Sequence, residues 1–83
     1  MKEPRKRLQQ ILRSPANVRF NEFTQLVEAF GFRLLRRAGS HHIFGREGIP
    51  EQLNLQEVNG KAKPYQIRQF LKIVERYNLA LED

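Results

Sequence analysis

The chain has no cysteine and no tryptophan, and its only two histidines stand side by side at positions 41 and 42. Without cysteine there is no disulfide framework, no thiolate metal cluster and no cysteine nucleophile. Histidine occurs nowhere else and carboxylates do not gather beside the pair, so a metal centre lacks ligands at workable spacing. Neither a metal nor a cofactor is expected. Long apolar runs are missing too, which leaves no transmembrane helix. The opening MKEPRKRLQQIL is charged and lacks an apolar stretch ahead of a small-residue cleavage site, unlike a signal peptide. These absences lead to the expectation of a soluble cytoplasmic protein with no membrane partner. No phosphate loop, dinucleotide fingerprint or nucleophile elbow is present either.

What the chain does have is positive charge, unevenly placed. Its 83 residues carry 15 Lys and Arg against 9 Asp and Glu, a formal charge of +6. Residues 1–20 hold Lys2, Arg5, Lys6, Arg7, Arg13 and Arg19 against Glu3 alone, and residues 33–46 hold four arginines and no acid. Acids collect instead at Glu47, Glu51, Glu57 and the Glu82–Asp83 end. Clustered arginines attract polyanions through counterion release, and the same field draws an acidic protein. Charge nominates both partners and chooses neither. With 40% apolar residues including 6 Phe, the chain is composed like one small folded domain rather than a disordered tail.

Apolar periodicity divides the chain. Leu8, Ile11 and Leu12 sit at helical spacing within Pro4–Arg13, a basic and somewhat detached helix stopped at Ser14–Pro15. Residues 1–16 read as a basic extension and 17–83 as the folded unit. Asn21 is offered as the N-cap of a second helix, whose stripe is Phe23, Leu26, Val27 and Phe30, with Gly31 as its left-handed stop. FRLLRRA, HHIFG and EQLNLQEV then read as three short strands. In the last of these Leu53 and Leu55 share one face and Asn54 and Gln56 the other, while Pro50 is assigned to a loop. Asn59–Gly60 marks a turn, and Pro64 opens a final helix striped by Ile67, Phe70, Leu71 and Val74, which Tyr77 and Leu81 extend. The expected fold is α+β, a three-stranded antiparallel sheet with helices packed on one face and the other face open.

The chemistry concentrates in Arg36-Arg37-Ala38-Gly39-Ser40-His41-His42-Ile43-Phe44. Successive strand residues point to opposite faces, so the two imidazoles cannot share one role. An imidazole titrates near neutrality and can move a proton during phosphodiester cleavage. RNA brings its own nucleophile, the 2′-hydroxyl, so one histidine among cations that steady the oxyanion is enough. The same imidazoles could instead stack on or hydrogen-bond to RNA with no bond cut, or the basic face could serve an acidic protein alone. His41 and His42 are the catalytic candidates, and Arg36, Arg37, Gly39, Ser40, Arg46, Lys61 and Lys63 the candidate RNA contacts.

These motifs resemble the HicA toxins of bacterial and archaeal type II toxin–antitoxin systems. The likeness runs from about Asn17 to Leu79: the helix NEFTQLVEAFGF, then RLLRRAGSHHIF, a third strand, and the closing helix KPYQIRQFLKIVERYNL. It implies a fold like a double-stranded-RNA-binding domain and an endoribonuclease that cleaves mRNA without metal. It also implies a HicB-type antitoxin as partner. The family's Gly-Ser-His falls on Gly39, Ser40 and His41, which puts His41 first and His42 second. The chain departs from the family after the third strand, where many members have a Pro-x-His-like segment and this one reads LQEVNG over 55–60.

Overall fold

The computed structural model describes residues 4–82; residues 1–3 of the basic N-terminal stretch, and Asp83 of the acidic end, lie outside them. Three helices, α1 (Pro4–Arg13), α2 (Phe20–Ala29) and α3 (Pro64–Arg76), accompany four strands. The strands are β1 (Arg33–Ala38), β2 (His41–Arg46), β3 (Ile49–Val58) and β4 (Lys61–Ala62). They form one antiparallel sheet in the order β1-β2-β3-β4, an up-and-down meander. The sheet thus has four strands, one more than expected. The added strand is two residues long, too short to show any periodicity in sequence.

Both apolar stripes bury as their spacing requires. Phe23, Leu26, Val27 and Phe30 from α2 meet Ile67 and Phe70 from α3, and Phe44, Leu53 and Leu55 close the cluster from the sheet. Phe70 stands edge-on to Phe23, Phe30 and Phe32, with ring centroids 5.5–5.8 Å away. That is the geometry aromatic quadrupoles favour.

Both main helices end in the same way. The Gly31 and Phe32 amides return to Glu28 and Val27, and the Asn78 and Leu79 amides to Glu75 and Val74. Gly31 (φ 90°) and Asn78 (φ 51°) supply the left-handed residue that this closure needs. Asn78 therefore stops α3 at Arg76. Leu79 and Leu81 fold back against the core instead of lengthening the helix.

Three further expectations are corrected. α2 starts at Phe20 without a side-chain cap, so Asn21 is not its N-cap. The helix entry is tied instead to the β3–β4 hairpin: Arg19 bridges Lys61, and the Phe20 amide donates to the Gly60 carbonyl at 2.9 Å. Pro50 lies within β3, at an irregular stretch between the Phe44–Leu53 and Arg46–Ile49 pairs, where the regular ladder is interrupted. And α1 is not detached. Ile11 is 2% exposed in the common core, and Arg7 is 7% exposed with its guanidinium 3.7 Å from Glu22 on α2.

Candidate active site

A two-residue hairpin, Gly39-Ser40, delivers both histidines into β2. Gly39 has φ 61°, the positive value that the first position of a II′ turn requires. Behind it the register is fixed: Ala38 faces His41, Arg37 faces His42 and Arg36 faces Ile43. On the other side His41 faces Gln56 and His42 faces Leu55. Residues paired directly across two strands share a face. His42 therefore lies on the side of Leu55 and Phe44, the covered side, together with Arg37. His41 lies on the open side, together with Arg36.

The contacts agree with this parity. His42 is half-buried, with its ring centroid 4.8 Å from that of Phe20 and its Nδ1 3.2 Å from the Ser40 carbonyl. A carbonyl only accepts, so Nδ1 carries the proton there. His41 is exposed, and its Nδ1 is 3.0 Å from Oδ1 of Asn54 on β3. With an amide oxygen on Nδ1, the lone pair of the neutral ring sits on Nε2.

The turn is held as well. The Gln56 side chain donates to Ser40 Oγ at 3.3 Å, and the Glu57 amide donates to the Ser40 carbonyl at 3.1 Å. Counted by register, the cations Arg33, Arg36 and Lys61 share His41's face. No carboxylate of the described strands does, because Glu51 and Glu57 have the opposite parity. Glu51 is occupied elsewhere, accepting from the Tyr77 hydroxyl and from Arg76, each at 2.6 Å. The Tyr77 hydrogen bond first, and then Arg76, hold its carboxyl below the usual range.

Not all the expected RNA contacts come together. Gly39, Ser40, His41 and Arg36 form one cluster, and Lys61 lies on the same face across β3. Lys63 sits at the entrance to α3 with its ammonium 5.8 Å from the Tyr65 ring centroid. Arg46 does not join them. It is at the other end of β2, five residues or roughly 17 Å along the strand, and its guanidinium donates to the Phe30 carbonyl at 3.1 Å. It lines a separate open cavity of about 870 Å³ beside Gly31 and Glu82. Arg37 is exposed like the rest of β1, but its parity is that of His42, and it parts company with Arg36.

Asn54, Gln56 and Gln66 were not singled out as site residues from sequence. The alternation of LNLQ put Asn54 and Gln56 on the polar face, but only the register shows that this face meets His41 and Ser40. Gln66 left no signal at all, being a polar residue within an amphipathic helix. Among the described residues, no three His, Asp or Glu side chains gather as a metal site, and no helix is long and apolar enough to cross a membrane. Compared with known proteins, the chain matches no family model, no curated protein and no solved structure.

Proposed function

We propose that this protein is a small metal-independent endoribonuclease of the HicA-toxin kind, acting on mRNA with His41 as its general acid/base. The observation that carries the reading is the exposed His41, its Nδ1 held by Asn54, on a sheet face that Arg36 and Lys61 share and no strand carboxylate of the described residues does. The run of one helix, the sheet and a second helix from α2 to α3 supports a layout like a double-stranded-RNA-binding domain.

The chemistry follows from the substrate. His41 Nε2 takes the proton of the 2′-hydroxyl, the 2′-oxygen attacks the adjacent phosphorus, and the P–O5′ bond breaks. The products are a 2′,3′-cyclic phosphate and a 5′-hydroxyl, the departing oxygen taking its proton from the imidazolium or from water. Arg36 and Lys61 steady the added negative charge on the phosphoryl oxygens. His42 has a different part, bracing the turn against Phe20. A HicB-type antitoxin would silence such an enzyme by covering the same face, with its acids set against these cations.

The test is cleavage of an unstructured RNA by the wild-type chain, His41→Ala and His42→Ala, with and without chelator. Cleavage that survives chelator and is lost with His41→Ala supports the proposal. A wild type that binds RNA but cuts no faster than His41→Ala favours a non-catalytic RNA-binding module. Expression of the chain alone should arrest growth, and co-expression of a neighbouring antitoxin should relieve the arrest.

A further inference from the structure

β3 is ten residues long but β4 is two, pairing only with Glu57 and Val58. Beyond β4 the chain turns into α3, and the edge of β3 at residues 54–56 would be left without a partner. One side chain completes it. The Gln66 amide, on a residue 6% exposed, accepts from the Gln56 N–H at 2.9 Å and donates to the Asn54 carbonyl at 2.9 Å. A carboxamide offers the same donor and acceptor as a peptide unit, so Gln66 stands in for the missing strand.

The two β3 residues that Gln66 grips are the two whose side chains hold the Gly-Ser-His turn. Asn54 Oδ1 meets His41 Nδ1, and Gln56 Nε2 meets Ser40 Oγ. A buried contact on α3 therefore reaches the imidazole through one strand. From this we propose that Asn54 is the positioning residue of the site. Its amide oxygen holds the Nδ1 proton of His41, which selects the tautomer that presents Nε2 to RNA, and Gln66 sets the strand that carries Asn54.

The proposal deepens, and rests on, the ribonuclease reading. A group on Nδ1 that fixes ring and tautomer is worth orders of magnitude in serine proteases, where a carboxylate has that part. Here the partner is a neutral amide, 3.0 Å from Nδ1, so its part is to orient the ring. Arg36 is the charged residue nearest in register on this face, while Arg37 and Glu57 belong to the other.

The experiment uses the full chain and two substitutions at the exposed Asn54, which is not part of the core. Nitrogen-15 NMR of the histidine side chains reads the His41 tautomer and titration midpoint in the wild type, Asn54→Ala and Asn54→Asp. Cleavage and RNA affinity are measured alongside. The wild type should carry the neutral-ring proton on Nδ1. In Asn54→Ala the proton should move in large part to Nε2, with cleavage down about tenfold to a hundredfold and RNA affinity within about twofold. Asn54→Asp should keep the proton on Nδ1 and raise the titration midpoint by about one pH unit, restoring part of the lost cleavage above neutral pH. An unchanged tautomer in Asn54→Ala overturns the proposal. A wild type that does not cleave RNA overturns the ribonuclease reading, and the NMR comparison still decides whether Asn54 positions His41.

Discussion

Neighbouring histidines on opposite faces should respond to the same substitution in opposite ways. His42→Ala removes a ring held 4.8 Å from Phe20 and an imidazole hydrogen bond to the Ser40 carbonyl. An aromatic pair contributes about 0.5–1.5 kcal/mol and a hydrogen bond about the same. The loss should therefore be about 1–3 kcal/mol, which for a domain of this size lowers Tm by roughly 5–20 °C. Cleavage measured well below that lower Tm should fall much less than in His41→Ala. His41 is exposed, so His41→Ala should change stability by only about 0.5 kcal/mol. It should instead cost about 10²–10⁴ in cleavage rate, the usual worth of a general acid/base. Thermal unfolding and a single-turnover cleavage assay on both variants decide the matter. If His42→Ala keeps its Tm but loses cleavage, while His41→Ala cuts normally, the assignment of faces is wrong.

Other consequences are equally open to measurement. Gln66→Leu leaves the Asn54 carbonyl and Gln56 amide without their partner, so urea unfolding should show a loss on the order of 2–4 kcal/mol and hydrogen exchange at the Gln56 amide should quicken. In Gly31→Ala the new Cβ would lie 2.6 Å from Glu82 Oε2. That carboxylate can swing aside, but Arg46 Nε, 3.2 Å from the Cβ, must also give, so the cost should be at least that of the left-handed backbone, about 1–2 kcal/mol by denaturant titration. Glu51 is an acid with a depressed pKa, so its contribution is present above the unfolded value near 4.5 and is lost as pH falls through the lower folded value. The acid limb of a stability–pH curve should be flatter in Glu51→Gln. Finally, Arg36→Ala should reduce the slope of log affinity for RNA against log salt by about one, and Arg46→Ala should leave that slope unchanged.

The stripes of α2 and α3, the alternation of Leu53 and Leu55 and the Asn59-Gly60 turn were readable because each is a local regularity. Helical and extended backbones impose their own periods, and turns demand particular residues. The hairpin at Gly39-Ser40 was readable for the same reason, and so was the divergence of His41 from His42. Which of the two faces solvent was not. Each histidine is followed two residues later by an apolar side chain, Ile43 or Phe44, so the pattern HHIF fits either parity. Pairing of His42 with Leu55 under Phe20 broke the tie.

Several local rules were overridden by contacts distant in sequence. Asn21 lost its capping role because β4 and Gly60 hold the start of α2. The α1 stripe buried Arg7 and left Leu12 exposed, because Glu22 offered a partner on α2. Arg46 and Lys61 were equally eligible as basic residues until strand length put one at the far end of the sheet and register put the other on the histidine's face. On its own, the sequence determined the helices, three of the four strands, the core stripes of α2 and α3 and the turn that carries the imidazoles, since these follow from spacing along the chain. The tertiary structure alone decided which imidazole faces solvent, which cations share its face and which amides steady it, because those depend on register between strands and on a side chain from α3 reaching an edge that β4 is too short to fill.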